Sequence, residues 1–165
     1  KVEKIIITRP TVTADEQLGF LPGNINKKMD PWTRPIFDVF KDTWTNNRIQ
    51  SMISEGIIEI SPLAYMRGRT FKNAVIIADE MQNATPSQLK MLLTRLGDDS
   101  KMVLTGDLQQ SDRRGKNGLE EFMTLVQNNE YEYIDICEFS AEDIERHPAV
   151  IEVLNVYGVN DTTDL

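Results

Sequence analysis

Two apolar runs in the sequence end abruptly in acidic residues, and this pairing is the strongest chemical signal in the chain. The first run is 74–78, Ala-Val-Ile-Ile-Ala, and Asp79 and Glu80 follow it directly. The second run is 102–104, Met-Val-Leu, and Thr-Gly-Asp follows it, with the acid at Asp107. Such runs are typical of strands buried on both faces of a parallel sheet, and ligands bind at the carboxyl ends of these strands. The carboxylates therefore predict a metal or phosphate site at one edge of a sheet.

The segment between the two runs predicts a helix that makes both strands parallel. Thr85, Pro86 and Gln88 have the pattern of a capping box with proline at the first helical position. Leucines then recur at helical spacing, and Gly97 predicts the end of the helix. A strand–helix–strand unit of this length is right-handed with parallel strands, so both groups of acids belong at the same edge.

Other segments predict the rest of an α/β fold. Residues 1–8, with three isoleucines at their centre, residues 57–60 and residues 131–139 predict further strands. A helix is predicted to open near Asp30 and Pro31, although the helix-breaking Pro35 favours a later start. Aromatic and aliphatic residues at spacings of four in this helix predict a core or oligomer contact rather than a base-stacking platform, and they are Trp32, Ile36, Phe40 and Trp44. The remaining helical segments are 13–16, 46–55, 119–126 and 149–157.

Composition is that of an ordinary globular protein of 165 residues, 40% apolar and 27% charged. No apolar run approaches the roughly 18 residues of a membrane span, so no membrane partner is expected. Cys137 is the only cysteine, which excludes an intrachain disulfide and a multi-cysteine zinc site, and favours the cytoplasm. The net charge of −8 disfavours nucleic-acid binding by the whole surface but leaves a local basic groove open. The single histidine, His147, stands beside a proline and is interpreted as structural.

Several short motifs resemble those of known nucleotide-hydrolysing proteins. Residues 77–80 resemble a Walker B motif, 79–82 resemble the Asp-Glu-x-Gln of superfamily 1 helicases, and 105–110 resemble their Gly-Asp-x-x-Gln motif III. Taken with matches over most of the chain, these motifs are similar to the PhoH-like family of P-loop ATPases, in a form like those carried by bacteriophages. The additional matches are Thr-Arg-Pro at 8–10, Leu-Gly-Phe-Leu-Pro-Gly at 18–23, Pro-Leu-Ala-Tyr-Met-Arg-Gly-Arg-Thr at 62–70 and Arg-His-Pro at 146–148.

The resemblance implies ATP hydrolysis with Mg²⁺ by a RecA-like parallel sheet with helices on both faces. Asp79 is the implied magnesium ligand, and Glu80 is implied to orient or deprotonate the attacking water. Gln82 and Gln110 are implied to hydrogen-bond the γ-phosphate or that water. Asp107 either holds its motif in place or assists the metal.

Arginines are implied for two further tasks. Arg67, Arg69 and Arg146 are candidates to neutralise charge in the transition state, supplied by a neighbouring subunit in a homo-oligomeric ring. Arg9 lies at the position of helicase motif Ia and, together with Arg67 and Arg69, is the candidate contact for single-stranded RNA or DNA. The alternatives are that Arg9 is a surface ion-pair partner and that the loop at 61–70 is merely solvated.

One part of the expected machinery has no match in these residues. No Gly-x-x-x-x-Gly-Lys-Ser/Thr pattern occurs in the 165 residues, although that loop supplies the amides and the lysine that hold the phosphates. The family carries the loop just upstream of the matching segment. The resemblance thus predicts a partial ATPase domain at 1–158, lacking the first P-loop strand, and a tail at 159–165. A fragment of a longer protein is the favoured interpretation, and loss of ATP binding is an alternative.

Two other functions compete with the ATPase hypothesis. One is a binding or scaffold module without catalysis, which the missing phosphate loop favours. The other is a metal-dependent nuclease with a carboxylate cluster of Asp79, Glu80, Asp107 and Asp112. The nuclease hypothesis leaves the glutamines of both motifs unexplained.

Overall fold

The computed structural model describes residues 2–10, 25–111, 115–127, 129–139, 143 and 147–156, without the side chains of 25–33, 154 and 155. Several predictions lie outside these described residues: the turn at 13–16, the loop at 18–23, Asp112, Arg146 and the tail at 159–165. The chain divides into two units, Lys1–Leu125 and Val126–Leu165, and each is described by itself.

A four-stranded parallel sheet forms the centre of the first unit. Its strands are β1 (Lys4–Thr8), β2 (Ile58–Ile60), β3 (Ala74–Ala78) and β4 (Lys101–Leu104). They lie in the order β2-β1-β3-β4, and every neighbouring pair is parallel. The predicted α/β class with a parallel sheet is confirmed.

Five α-helices and three short 3-10 helices are found among the described residues. The α-helices are α1 (Ile25–Thr43), α2 (Asn46–Ser54), α3 (Pro86–Leu93), α4 (Gly118–Val126) and α5 (Pro148–Val156). The 3-10 helices are Leu63–Met66, Met81–Asn83 and Leu108–Gln110. None of the described helices combines the length and the apolar character needed to cross a bilayer.

Helices cover the sheet on both faces because successive side chains of a strand point to opposite sides. Ile6 of β1 packs in a core with Leu89 and Leu92 of α3, and Leu119 of α4 joins the same core. The next residue, Ile7, packs in a second core with side chains of α1 and α2. The predicted helices on both faces of the sheet are therefore confirmed in the first unit.

The capping box of α3 is present as predicted, but the helix ends earlier than predicted. Thr85 Oγ1 accepts from Gln88 N at 3.0 Å, and the Gln88 side chain accepts from Thr85 N at 2.9 Å. The helix ends at Leu93, four residues before Gly97. Gly97 instead donates its N–H to the Phe71 carbonyl at 2.8 Å, and a Cβ at Gly97 would lie 2.6 Å from that oxygen. The glycine is needed for close backbone approach rather than for ending the helix.

Helix α1 begins earlier than the predicted start at Asp30, and it continues through Pro35. Pro35 lies on the exposed side of the helix, where water can solvate the carbonyl that loses its hydrogen-bond partner. Phe40 and Trp44 pack edge-on with ring centroids 5.5 Å apart, and both lie against the second core. This packing confirms a core role for these aromatic residues.

Strand β4 departs from the prediction of a strand buried on both faces. Val103 is 39% exposed, and Met102 and Leu104 are only partly buried. The reason is that β4 pairs with β3 on one side and lies at the edge of the described sheet. The apolar composition of β4 is therefore only partly used within the described residues.

The second unit contains α5 and a segment without regular structure. Residues 131–139 form no strand in the structure, so the prediction of a strand there is wrong for the described chain. Apolar content favours a strand only where a neighbouring backbone supplies hydrogen bonds, and Tyr133 and Phe139 are largely exposed. His147 Nδ1 accepts from Ala149 N at 3.2 Å at the start of α5, which supports its structural interpretation.

Truncation of Leu92 should cost far more stability than truncation of an exposed leucine. Leu92 is 0% exposed in the core beneath α3, whereas Leu125 is 63% exposed. We expect Leu92→Ala to lower the free energy of unfolding by about 2–5 kcal/mol, because it leaves a cavity. The control Leu125→Ala should cost less than about 1 kcal/mol. Urea unfolding followed by circular dichroism measures both, and equal losses would contradict the described core.

Candidate functional site

Three strands of the sheet end in register, which brings their following residues to one edge. Thr8 of β1 pairs with Ala78 of β3, and Ala78 pairs with Leu104 of β4. Arg9, Asp79 and Thr105 are the next residues of the three strands. The predicted convergence of the residues after these strands at a single edge is therefore confirmed.

Backbone hydrogen bonds continue past the strand ends and fix this edge. Asp79 N donates to Thr8 O at 3.0 Å, and Thr105 N donates to Ala78 O at 2.9 Å. Met81 N then donates to Thr105 O at 2.9 Å, which ties the residues after β3 to those after β4. The acids thus stand on a hydrogen-bonded frame rather than on a loose loop.

Asp79 has a hydroxyl partner that the sequence analysis missed. Thr105 Oγ1 donates to Asp79 Oδ1 at 2.6 Å, and Asp79 is partly buried. The signal for Thr105 was available, since it is a hydroxyl residue directly after a strand parallel to the one that ends at Asp79. Carboxylate and hydroxyl oxygens are the hard ligands that Mg²⁺ takes in small numbers beside water and phosphate oxygens, so this donor set fits magnesium.

A larger carboxylate cluster is not formed by the residues that the structure describes. Within them, no three histidine, cysteine, aspartate or glutamate side chains are close enough to hold a metal ion together. The nuclease hypothesis needed such a cluster, and its fourth member, Asp112, lies outside the described residues. The donor set around Asp79 therefore gives it no support.

Glu80 adopts a strained backbone conformation and has both carboxylate oxygens engaged. Its φ of 56° and ψ of 37° lie in the left-handed region, which costs a non-glycine residue about 1 kcal/mol or more. Gln82 Nε2 donates to Glu80 Oε2 at 2.7 Å, and Arg9 Nη2 lies 3.8 Å from Glu80 Oε1. This ion pair agrees with the alternative interpretation of Arg9. The backbone turn and the two partners together aim the carboxylate.

Gln82 connects Glu80 to the residues after β4. Its side chain is 1% exposed, its Nε2 holds Glu80, and its Oε1 accepts from Asp107 N at 3.3 Å. The approach is close at Gly106, where a Cβ would lie 2.8 Å from Gln82 Oε1. A buried amide with both ends engaged holds other groups in place, which differs from the phosphate contact predicted for it.

Asp107 and Gln110 belong to the 3-10 helix that follows β4. Asp107 Oδ1 accepts from Gln109 N at 2.9 Å and so caps this helix. That bond favours the expectation that Asp107 holds its motif in place over direct help to a metal. Gln110 is exposed, and its backbone N–H donates to Asp107 O at 3.2 Å. The Gln110 side chain is thus carried by a turn that Asp107 shapes.

Arg69 is committed to a neighbour that the sequence analysis did not identify. Its two terminal nitrogens donate to the two oxygens of Glu59, with Nη2 to Oε2 at 2.9 Å, and its guanidinium lies 4.7 Å from the Phe71 ring centroid. The hydrogen bonds from Arg69 lower the pKa of Glu59 below its usual 4.5, while burial opposes them. A guanidinium held in this way has little capacity left for phosphate, which corrects its predicted role.

Arg67 is the exposed arginine of the same loop. It is followed by Gly68, whose φ of 78° requires glycine, and Tyr65 before it is 58% exposed. The Glu59 partner of Arg69 could have been suspected, because Glu59 is a single charge between two buried isoleucines of β2. Of the three predicted arginines, Arg67 keeps an exposed side chain, Arg69 is paired, and Arg146 lies outside the described residues.

Comparisons with known proteins agree with these motifs. The family profile described as "PhoH-like protein" matches residues 1–158. A PhoH-like protein of Synechocystis sp. is 44% identical over 98% of this chain, and one of Bacillus subtilis is 45% identical over 94%. Protein PhoH of Escherichia coli is 43% identical over 95% of the chain. The chain spans about half the length of these relatives, 49% of the first two and 45% of the third.

Loss of the Arg69–Glu59 pair should change the acid dependence of stability. Because Arg69 lowers the pKa of Glu59 in the folded state, the pair stabilises the fold above about pH 4.5, and its contribution is lost as the pH falls through the lowered value. We expect Arg69→Gln to lower the free energy of unfolding at neutral pH and to flatten its decline in acid. Urea unfolding over a pH series measures this, and the matched control is Arg67→Gln. Equal effects of the two substitutions would contradict the assignment.

Proposed function

Because this chain belongs to the PhoH-like family, whose members are generally P-loop proteins of the ATPase type, we propose that it forms the water-activating part of an ATP hydrolysis site. The observation that carries this proposal is the pair Asp79 and Glu80 at the end of β3. Thr105 holds the first carboxylate, and Gln82 holds the second. Two adjacent acids held by different partners suit two different tasks.

Asp79 and Thr105 are the proposed ligands for Mg²⁺, which the family typically uses with ATP. When bound, the ion would neutralise charge on the phosphate oxygens. In this scheme Asp79 supplies the carboxylate oxygen that is not bonded to Thr105, and the Thr105 hydroxyl keeps the Asp79 side chain in one orientation. Asp107 has no direct part, since its carboxylate caps the turn that carries Gln110.

Glu80 is the proposed general base or orienting group for the attacking water. The water oxygen attacks the γ-phosphorus, the bond to the ADP oxygen breaks, and the proton of the water passes to the carboxylate. The buried Gln82 keeps one Glu80 oxygen fixed, which lowers the cost of orienting the base. We assign Gln82 this positioning task and keep the predicted γ-phosphate contact for the exposed Gln110.

The phosphates also need a cradle, and the edge of β4 supports its proposed location. In P-loop ATPases with a catalytic glutamate, the strand before the phosphate loop lies beside the strand that carries motif III. In this chain that strand is β4, which pairs only with β3 among the described residues. We propose that a strand carrying the cradle pairs with β4. The exposed Arg67, Arg146, or both would then complete the charge, from a neighbouring subunit of a ring.

A non-catalytic binding or scaffold module is the second candidate. The observation in its favour is that the 165 residues contain no phosphate-loop motif. Under this alternative, nucleic acid or a protein partner would bind the surface around Arg9 and Arg67. The strained Glu80 speaks for catalysis instead, since strained residues persist where a site needs them.

Titration calorimetry with Mg·ATP tests the proposal in two proteins. One is the 165-residue chain, and the other is this chain joined to the phosphate-loop segment of the Bacillus subtilis relative. We expect binding weaker than about 100 μM without the loop and tighter with it. Tight binding by the chain alone would move the phosphate site to its arginines. No binding by the joined protein would favour the scaffold alternative.

Glu80→Gln should stop turnover in the joined protein and leave Mg·ATP binding intact. Loss of a general base costs roughly 10²–10⁴-fold in rate, while the neutral amide keeps the size of the side chain. Phosphate release measures the rate, and calorimetry measures the binding. The control is Glu55→Gln at the end of α2, which should keep normal turnover. Unchanged turnover in Glu80→Gln would remove Glu80 from the mechanism.

A further inference from the structure

The two oxygens of Glu80 are held by partners of very different permanence. Gln82 is buried, bonds at 2.7 Å, and has its other end engaged with Asp107. Arg9 is a charged partner at 3.8 Å, and the side chains of this ion pair are 24% and 36% exposed. Exposed ion pairs of this length contribute little and exchange readily. The contact with Arg9 is therefore the one that a ligand could replace.

The backbone at Arg9 is fixed while its side chain reaches the surface. Thr8 O accepts from Asp79 N at 3.0 Å, and Arg9 O accepts from Leu63 N at 3.4 Å. Arg9 has a further interaction beside its ion pair with Glu80. A guanidinium anchored in this manner can turn from one partner to another without moving the strand that carries it.

The surroundings of Arg9 suit a phosphate group. The bond to Leu63 attaches Arg9 to the 3-10 helix Leu63–Met66, and that helix and the residue after it display the exposed Tyr65 and Arg67. Arginine binds phosphate through paired charge-assisted hydrogen bonds, which are stronger than a single long contact with a carboxylate. An exposed tyrosine adds a surface on which a base can stack.

We propose that a phosphate group competes with Glu80 for Arg9, so that binding of the phosphate releases the Glu80 carboxylate. Its meaning for turnover rests on the proposed function, since a base that Arg9 holds is less able to take a proton from water. Gln82 would keep Glu80 in position during the exchange. The source of the phosphate is either a single-stranded nucleic-acid backbone or a small phosphate compound.

Thermodynamic reciprocity makes this proposal testable without ATP. If phosphate and Glu80 compete for Arg9, then removing the charge of Glu80 must strengthen phosphate binding by the same coupling. The probe is a fluorescent single-stranded oligouridylate, and its anisotropy is measured with the 165-residue chain at several salt concentrations. Inorganic pyrophosphate, added in calorimetry, represents the small-compound source.

Glu80→Gln is expected to strengthen binding of the probe by roughly two- to five-fold. The slope of log affinity against log salt should steepen by about 0.7, as for one added phosphate contact on a single strand. The matched control is Glu55→Gln, which removes the same charge and releases Arg48 from an ion pair of similar length, 3.9 Å. The double variant Arg9→Gln/Glu80→Gln should lose the whole gain.

Each outcome bears on the proposal. A gain for oligouridylate identifies a nucleic-acid backbone, and a gain confined to pyrophosphate identifies a small phosphate compound. No gain beyond the Glu55→Gln control, or a gain that persists without Arg9, overturns the competition. Because the measurement contains no ATP, failure here leaves the hydrolysis proposal standing, and failure of Mg·ATP binding leaves this result intact.

Discussion

The register between β1, β3 and β4 is the constraint on which the rest of the site depends. Thr8, Ala78 and Leu104 stand side by side, so the next residue of each strand emerges at the same height. A shift of one residue would turn every side chain of a strand to the other face and exchange its two cores. The opposite burial of Ile6 and Ile7 resists such a shift. Hydrophobic packing thus fixes the position of the acids.

Polar groups then join segments that are far apart in the sequence. Gln82 reaches both Glu80, two residues away, and the backbone of Asp107, twenty-five residues away. Thr105 makes a similar connection to Asp79 across twenty-six residues. Both links are partly withdrawn from water, where hydrogen bonds hold geometry more firmly. The acids after β3 and the turn after β4 therefore form one structural unit.

Local sequence rules predicted the parts of this arrangement that local forces determine. The capping box of α3 and the strand–helix–strand unit follow from side-chain types a few residues apart, and both are present. The Glu59 partner of Arg69 and the burial of Gln82 depend on contacts across the fold, which spacing along the chain does not encode. The exposure of β4 was missed because apolar composition does not specify which neighbour covers it.

The left-handed backbone of Glu80 has a consequence for the evolution and design of this site. Glycine or asparagine adopts that conformation at lower cost, so either would be a stabilising choice at position 80 when only folding is considered. Selection for robustness and selection for chemistry therefore oppose each other at one residue. A sequence library sorted only for thermal resistance should drift away from the acid, and a lineage that keeps it reveals a continuing demand for its carboxylate.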